Sequence, residues 1–348
     1  MKHRNRLHIG NFDYKLDPKH IAQKPIERRD HARLLVYDRD TQTIAHRHIY
    51  DIGNYLRSND VLVLNDTRVV RARLLGHKIT GAKIELLLLH NIEGTIWRSL
   101  VKGTGIKSGT VIEFEEFELK CQILRRDENG SCVVRFSHEI EPVLNEIGQI
   151  PLPPYIKETL GDSERYQTVY AVENGSVAAP TAGLHFTREL LESITGIGVK
   201  VLTVTLHVGL DTFMPVRVEQ IDRHAIHSEW CRIDGEVINT INSARAAGGR
   251  IVAVGTTTVR VLETASAKSS SGHMKSFDGY TDLFIYPGYS FSVVDSLLTN
   301  FHLPKSTLLM MMGAFMEEQG IQTLLDIYAD AIQEGYRFYS FGDAMLVL

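Results

Sequence analysis

An uninterrupted all-β stretch between about residues 60 and 137 restricts the fold of this chain more than any other feature. Short apolar runs such as AKIELLLLH and TIWRSLVK alternate there with turn signals at ITGA, NIEG and DENG, and no helical pattern separates them. The Asn-Gly pair that closes DENG is a strong hairpin signal. About six short antiparallel strands joined in this way predict a small β-barrel.

The pattern changes after QIPLPPYIK, whose three prolines make a stiff, extended connector. Beyond it helices and strands alternate, and strands such as VKVLTVTL and RIVAVG are mostly apolar on both faces, which is typical of a parallel sheet covered by helices on both sides. At 348 residues the chain is long enough for two domains. We therefore expect a discontinuous α/β domain over 1–68 and 150–348, with a mainly parallel sheet and flanking helices. The inserted small antiparallel β-barrel would occupy 69–149.

Local signals add three elements to this outline. Asp17 and Pro18 predict the start of a helix that ends at Pro25. The run TDLFIY predicts a strand of the α/β domain. The segment 266–279 is poor in apolar residues and rich in Ser, Gly and Lys, so we expect a mobile surface loop there.

Composition narrows the class of protein. The 43% of hydrophobic residues can fill a large core. The N-terminus carries basic residues but no apolar stretch with a cleavage site, and eighteen consecutive apolar residues occur nowhere, so we expect a cytoplasmic protein outside the membrane. The cysteines are odd in number and far apart, which disfavours a disulfide framework and a structural zinc site; they are Cys121, Cys132 and Cys231.

The charge of the chain bears on nucleic-acid binding. A formal net charge of -4 disfavours a protein that coats nucleic acid indiscriminately, since such binding needs many phosphate contacts. Local basic clusters remain at 2–6, 27–30 and 66–78. In the last of them Arg71 and Arg73 alternate with apolar residues, so a strand would place both arginines on one side. That side is either a binding surface or an ordinary solvated face.

The stretch GSVAAPTAGLHFT, residues 175–187, has several Gly and Ala residues and few reactive side chains, so its backbone is accessible to a ligand. Thr187 is a typical N-cap for the helix that follows, so the loop leads into a helix N-terminus, where backbone amides favour anionic ligand groups. The alternative is a tight turn between two core elements.

Polar residues also follow the predicted strands. VLTVTL runs into HVGLD, RIVAV into GTTTVR, and DLFIY into PGYSF, while the last strand begins beside YSFGDAM. Ligands of open α/β sheets bind at the carboxyl ends of strands, so these clusters predict a ligand site. The motifs GxSxG, HExxH, GxxxxGK[ST] and GxGxxG are absent from the sequence. His224, His227 and Glu229 suggest a metal site only weakly, and structural histidines are the commoner outcome.

Long motifs carry a resemblance to a known family. NFDYKLDPKHIAQKPIERRDHARLLVYDR, DVLVLNDTRVVRARL, ERYQTVYA, GSVAAPTAGLHFT, VTLHVGLDTFMPV, IHSEW, IVAVGTTTVRVLE and TDLFIYPGYSFSVVDSLLTNFHLP together resemble the S-adenosylmethionine:tRNA ribosyltransferase-isomerases of queuosine biosynthesis. The match runs in order over nearly the whole chain. The family is described as an α/β domain with an inserted β-barrel, in agreement with the organisation predicted above.

The resemblance implies a transferase and isomerase. Its ribosyl donor and co-substrate would be S-adenosylmethionine, and its acceptor 7-aminomethyl-7-deazaguanine at the wobble position of a tRNA with a GUN anticodon. The products would be epoxyqueuosine in the tRNA, adenine and methionine. We expect no metal, and a monomer, with a dimer as the alternative.

Motif position then suggests site residues. The proton carriers would be His185, His207, Asp211 and Glu229. The groups that bind S-adenosylmethionine would be Gly175, Thr181, Gly183, Gly255, Thr256, Thr257, Thr258, Tyr286 and Tyr289, the two tyrosines by stacking on adenine or on the extruded base. The tRNA phosphates would contact Arg68, Arg71 and Arg73. For each histidine a structural hydrogen bond is the alternative, and both tyrosines also suit a core.

Two other functions are compatible with the same sequence features. A metal-free hydrolase of a small substrate would act without RNA, and a non-catalytic RNA-binding protein would bind tRNA without S-adenosylmethionine. The predicted α/β ligand crevice and the acidic net charge disfavour the second.

Overall fold

The computed structural model describes residues 7–114, 117–127, 130–209, 216, 218–269, 274–316 and 320–348. It divides into two compact units, Met1–Arg68 with Pro153–Leu348 and Val69–Leu152. The α/β class with an inserted antiparallel barrel is confirmed. In the described ranges no helix is both long and apolar enough to cross a membrane.

Seventeen strands lie within the described residues. In chain order they are β1 Arg33–Asp38, β2 Thr43–His48, β3 Val61–Asn65, β4 Thr67–Val69, β5 Arg73–Lys78, β6 Lys83–Glu93, β7 Ile96–Lys102, β8 Val111–Phe114, β9 Leu119–Arg126, β10 Ser131–Phe136, β11 Glu173–Ser176, β12 Lys200–Leu206, β13 Glu229–Ile233, β14 Ile251–Val254, β15 Phe277–Thr281, β16 Ser296–Asn300 and β17 Ala344–Val347.

Helices of two kinds accompany them. The α-helices are α1 Leu144–Ile147, α2 Arg188–Gly196, α3 Gly235–Ala246, α4 Thr256–Ala267, α5 Thr307–Phe315 and α6 Gly320–Gln333. Short 3-10 turns cover Ile9–Phe12, Pro18–His20, Arg29–His31, Ile49–Tyr55, Glu141–Val143, Ser163–Tyr166, Thr181–His185 and Ile221–Arg223.

The larger unit contains a nine-stranded sheet with the order β15-β13-β12-β3-β14-β16-β17-β1-β2. Neighbours among β12, β3, β14 and β16 are parallel, so the carboxyl ends of these four strands share one edge of the sheet. β17 runs antiparallel to β16 and parallel to β1. The outer pairs β12–β13, β13–β15 and β1–β2 are antiparallel. The sheet is therefore mixed, with a parallel centre.

Strand β3 shows how the centre of the sheet is covered on both faces. It reads VLVLN and is buried over its whole length. Val61 and Val63 belong to one apolar core, and Leu62 and Leu64 belong to a second core on the opposite face. Full burial of each such side chain contributes roughly 1.5–3 kcal/mol.

The smaller unit is a closed barrel with the strand order β10-β7-β6-β5-β8-β9, which leaves no open edge. Ala72 and Leu74 point into its core. Arg71 and Arg73 lie outside that core, half-buried, as the alternation in the sequence predicts. The three cysteines of the chain are free and buried.

The helix predicted from Pro18 to Pro25 is wrong beyond its first turn. The Asp17 side chain accepts from the amide of Lys19, as an N-cap does, but the 3-10 turn ends at His20. Beyond it the Ala22 amide donates to the Phe338 carbonyl, and the Phe338 amide donates to the His20 carbonyl. Pairing with this distant segment replaces the helical hydrogen bonds.

The strand predicted at TDLFIY is also wrong. β15 ends at Thr281, and the parallel strand beside β14 is β16, Ser296–Asn300. Arg260 donates to the carbonyls of Thr281 and Leu283, which removes acceptors that a longer ladder would need. In the segment predicted as a loop, α4 extends to Ala267 and β15 begins at Phe277; residues 270–273 lie outside the described ranges.

A buried ion pair at the amino edge of the sheet gives a test of the fold. Asp60 accepts from the amides of Arg57 (2.9 Å) and Arg250 (3.0 Å) and lies 2.6 Å from the Arg250 guanidinium. Burial raises the pKa of Asp60, but its hydrogen bonds with Arg250 outweigh burial and hold the pKa below its usual value.

We expect Asp60→Asn to lower the free energy of unfolding by about 3 kcal/mol, because it leaves the Arg250 charge without its partner. Urea unfolding followed by tryptophan fluorescence on a Trp97→Phe background measures this free energy. Trp230 is then the remaining tryptophan and reports on the larger unit. Asp40→Asn, at an exposed position, should change stability by no more than about 0.5 kcal/mol. Equal stability of both variants would contradict a stabilising role for this pair.

Candidate functional site

Four parallel strands end at one edge of the sheet, and a buried amide there connects β3 and β12 with α4. Asn65, the last residue of β3, donates to the Leu206 carbonyl and to Thr257 Oγ1, both at 3.1 Å. Its oxygen accepts from the amides of Leu206 and Thr67. Asn65 thus fixes the end of β12 and the first turn of α4. No sequence motif marks Asn65, although it is the first polar residue after four apolar residues in β3.

His207 follows β12 at this edge and is half-buried. Its ring stacks on Trp230 with centroids 4.9 Å apart, and its Nδ1 lies 2.8 Å from Thr67 Oγ1. Thr67 Oγ1 also lies 3.5 Å from the Glu173 carbonyl. When Thr67 donates to that carbonyl, its oxygen accepts from Nδ1–H, and Nε2 is left as the acceptor. Burial lowers the pKa of His207, which favours the neutral ring.

Gly175 makes room for this ring. A Cβ atom at residue 175 would lie 2.5 Å from His207 Nε2, and the φ of +146° is one that side chains rarely adopt. Gly175 therefore contacts the His207 side chain.

Glu229 and Arg260 form a buried ion pair beside the same edge. Glu229 Oε1 accepts from the Gly209 amide at 2.7 Å. Arg260, on α4, also donates to two backbone carbonyls, those of Leu283 (3.1 Å) and Thr281 (3.2 Å). The pair therefore holds Gly209, shortly after β12, and the backbone of 281–283 against the helix.

A cavity of about 110 Å³ lies over the ion pair and the first turn of α4. Its polar wall is formed by Glu229, Arg260, Thr256 and Thr257. The apolar wall consists mainly of Ile226, Leu283, Phe284, Ile285, Leu308 and Met311. An apolar pocket with a few converging polar groups is the usual form of a small-molecule site.

The helix start under this cavity is built by Gly255. It is the N-cap of α4, with φ +85°, and its amide donates to the Leu298 carbonyl of β16 at 2.8 Å. Thr256 and Thr257 face the cavity, whereas Thr258 Oγ1 donates to the Val254 carbonyl at 2.7 Å. Of the three predicted threonines in the first turn of α4, two are thus at the cavity and one is bonded to the strand.

His224 and His227 also line the cavity, near Glu229. Burial, followed by the charge of His227, lowers the pKa of His224. Within the described part of the chain, no three His, Cys, Asp or Glu side chains are grouped so that they could hold a metal ion.

His185 lies at a second cluster on this edge and is nearly fully buried. Asn300 Nδ2 donates to His185 Nε2 (3.3 Å), and Thr181 Oγ1 donates to Asn300 Oδ1 (3.1 Å). Because Nε2 accepts, Nδ1 carries the proton in the neutral ring. Burial lowers the pKa of His185 to about 4, against the opposing charge of Asp343.

Gly183 makes room for Tyr170, as Gly175 does for His207. A Cβ atom at residue 183 would overlap the Tyr170 hydroxyl and approach the Thr168 methyl group at 2.8 Å. Burial, followed by the charge of Asp66, raises the pKa of Tyr170.

The two predicted stacking tyrosines differ in their surroundings. The Tyr289 hydroxyl donates to Glu263 at 3.1 Å, and this buried carboxylate also accepts from the amides of Ser292, Val293 and Val294. Tyr289 is thereby part of a structural anchor. Tyr286 packs against the cavity residue Phe284, with ring centroids 5.1 Å apart.

The predicted phosphate contacts are partly engaged within the chain. Arg68 pairs with Glu164 at 2.7 Å, and Arg73 pairs with Glu85 at 2.8 Å. Arg71 donates to the Gly148 carbonyl at 3.4 Å. Asp211 lies outside the described residues.

A larger groove of about 1620 Å³ lies at the opposite edge of the sheet. Two of the three arginines that line it bind the chain itself: Arg39 donates to the carbonyls of Asp295, Phe315 and Leu348, and Arg250 pairs with Asp60. Size alone therefore does not mark the site, and the smaller cavity at the carboxyl ends has the chemistry that a ligand needs.

Comparisons with known proteins agree on one family. A family model described as queuosine biosynthesis protein matches residues 9–347. The S-adenosylmethionine:tRNA ribosyltransferase-isomerase of Acetivibrio thermocellus is 50% identical over 345 residues, which cover 98% of this chain and 100% of that protein. The protein of the same name from Moorella thermoacetica is 50% identical over 347 residues, with the same coverage.

A solved structure is similar as well. The S-adenosylmethionine tRNA ribosyltransferase of Thermotoga maritima superimposes with a TM-score of 0.57 and 38% sequence identity. The match covers 97% of this chain and 100% of that one.

The lowered pKa of His185 makes stability depend on pH. Between pH 6.5 and about 4 the unfolded chain protonates this histidine and the folded chain does not, so stability falls as the pH is lowered through that window. We expect His185→Gln to remove about 1.4 kcal/mol per pH unit from this dependence. Urea unfolding at about pH 7, 6 and 5 measures the slope. The exposed His138→Gln should keep the parental slope, and an unchanged slope in His185→Gln would contradict the prediction.

Proposed function

Because the chain belongs to the queuosine biosynthesis protein family and is a ribosyltransferase-isomerase, we propose that it acts on S-adenosylmethionine and tRNA. It transfers and isomerises the ribosyl group of S-adenosylmethionine onto 7-aminomethyl-7-deazaguanine at the wobble position of a tRNA with a GUN anticodon. Epoxyqueuosine forms in the tRNA, and adenine and methionine leave. The observation that carries the proposal is the 50% identity, over 98% of the chain, with enzymes of that name.

The reaction sets clear requirements for the protein. The sulfonium of S-adenosylmethionine acidifies the neighbouring C5′ protons and provides the leaving group, so the enzyme must position the substrates, remove a proton and assist the departure of adenine. A base that is neutral near pH 7 and an acid are needed.

His207 suits the base best among the described side chains. Its pKa is lowered by burial, and Thr67 and Trp230 fix the orientation of its ring. We assign proton removal to Nε2, the nitrogen that faces away from Thr67. His185 has its Nε2 engaged by Asn300, so we assign it a positioning role. Asp211 follows His207 closely in the sequence and stays a proposed proton carrier.

The 110 Å³ cavity supports binding of one part of S-adenosylmethionine at the start of α4. Apolar side chains provide a surface for part of this ligand, while Thr256 and Thr257 offer hydroxyls and first-turn amides for its polar groups. The charge of Glu229 is balanced by Arg260. Glu229 therefore shapes the cavity, and it stays a proposed proton carrier. Gly255 provides the turn that exposes these amides.

The remaining assignments concern the RNA. Tyr286, beside the cavity residue Phe284, is the better placed of the two tyrosines to stack on a base. Arg71 is the proposed phosphate contact on the barrel. We propose that the enzyme acts in the cytoplasm as a monomer, without a metal ion, with a dimer as the alternative.

The test combines purified protein, S-adenosylmethionine and a tRNA stem-loop with 7-aminomethyl-7-deazaguanine at the wobble position. Adenine release and the mass of the RNA are followed with and without EDTA. We expect adenine release matched by the ribosyl mass gain, unaffected by EDTA, and no reaction with a guanine stem-loop. Adenine release without RNA would favour the hydrolase, and RNA binding without turnover would favour the binding protein.

The role of His207 is tested in the same assay. We expect His207→Ala to lower kcat by about 100-fold or more, because proton transfer by a positioned base contributes that much. The acid limb of the parental rate profile should lie below pH 6.5, since burial lowers the pKa of this group. His138→Gln should retain parental kcat. Parental turnover in a folded His207→Ala variant would remove this residue from proton transfer.

A further inference from the structure

Two arginines from distant parts of the sequence meet beside His185. Arg29 donates to the carbonyls of Leu184 (3.1 Å) and Glu164 (2.9 Å). Arg165 donates to the carbonyls of Glu27 (2.8 Å) and Ile26. Arg29 therefore binds the backbone of Glu164, next to Arg165, and Arg165 binds the backbone of Glu27, near Arg29. The two charges are held close together.

Neither arginine forms an ion pair with any carboxylate in the described ranges, and all the partners above are neutral carbonyls. The charged groups that act on Arg29 are Arg165, Asp162 and Glu164. Of these, Glu164 is already paired with Arg68 at 2.7 Å. Burial, followed by the charge of Arg165, lowers the pKa of Arg29, as expected for two cations with little compensation.

A cleft of about 20 Å³ lies between the two arginines, and His185 and Ser340 also line it. Arg165 Nε is buried and has no hydrogen-bond partner within the described structure. Both arginines remain partly exposed, so a ligand can reach the cleft from solvent. The volume suits one or two oxygen atoms rather than a whole amino-acid moiety.

We propose that Arg29 and Arg165 form an oxyanion site that binds a backbone phosphate of the tRNA beside the wobble nucleotide. A guanidinium pair without an ion-pair partner in the described ranges matches phosphate oxygens in both charge and donor geometry. The cleft borders the turn Thr181–His185, and Ala182 of that turn lies beside Gly255, the N-cap of α4, at the edge of the sheet where we propose the reaction. The inference rests on the proposed function, because it takes tRNA as the substrate.

Binding of the stem-loop without S-adenosylmethionine tests the site separately from catalysis. The dissociation constant is measured across about 50 to 200 mM salt for the parent, Arg29→Gln and Arg165→Gln. We expect each variant to bind more weakly, with a salt slope shallower by about one, since one phosphate contact is lost. Arg28→Gln is the matched control, because Arg28 is exposed and pairs with Asp30. It should keep the parental slope.

Parental slopes in folded Arg29→Gln and Arg165→Gln would overturn the proposal. Weaker S-adenosylmethionine binding with unchanged RNA binding would overturn it as well, and would assign the arginines to the methionyl carboxylate. A parent that binds no stem-loop would contradict the proposed function instead.

The parent protein offers a second measurement that does not depend on the stability of a variant. Phenylglyoxal modification is mapped by mass spectrometry with and without the stem-loop. We expect the RNA to protect Arg29 and Arg165 but not Arg28. Modification of the pair at the same rate with bound RNA would rule out the phosphate contact.

Discussion

The buried ion pair between Glu229 and Arg260 is the interaction on which the site depends. It joins β13 to α4, and it fixes the backbone of Gly209 on one side of the cavity and of Thr281 and Leu283 on the other. Removing two charges from water is costly and is offset only when their hydrogen bonds are complete. Here the guanidinium has three acceptors and the carboxylate takes a backbone amide as well. The pair therefore specifies one position for Gly209 and for the backbone of 281–283.

The sequence predicted the parts of the fold that regular patterns determine. Period-two alternation and turn signals identified the six barrel strands, and runs such as RIVAV identified the covered sheet. The errors lie where distant contacts decide the backbone. Phe338 ends the helix that begins at Pro18, and Arg260 engages the carbonyls that TDLFIY would need as a strand. A single sequence gives no signal for such partners, because they are hundreds of residues away or on another element.

For the candidate site, the sequence predicted which loops lie together more reliably than it predicted the surroundings of each side chain. His207, Glu229, Thr256 and Thr257 do come to the same edge of the sheet. Tyr289, in contrast, is fixed by Glu263, and Asn65 was overlooked because an amide at a strand end has no motif of its own. Residue type shows which chemistry is possible, but burial and hydrogen-bond partners decide whether a group is available for it.

Gly175 and Gly183 bear on how mutational data for this enzyme should be interpreted. Each leaves space for a neighbouring side chain, the ring of His207 in one case and the hydroxyl of Tyr170 in the other. A larger residue at either position would push that neighbour out of place while leaving every ligand-facing group chemically intact. In a saturation mutagenesis map both glycines would therefore score like binding residues. Sensitivity at these two positions would report the volume reserved for another side chain.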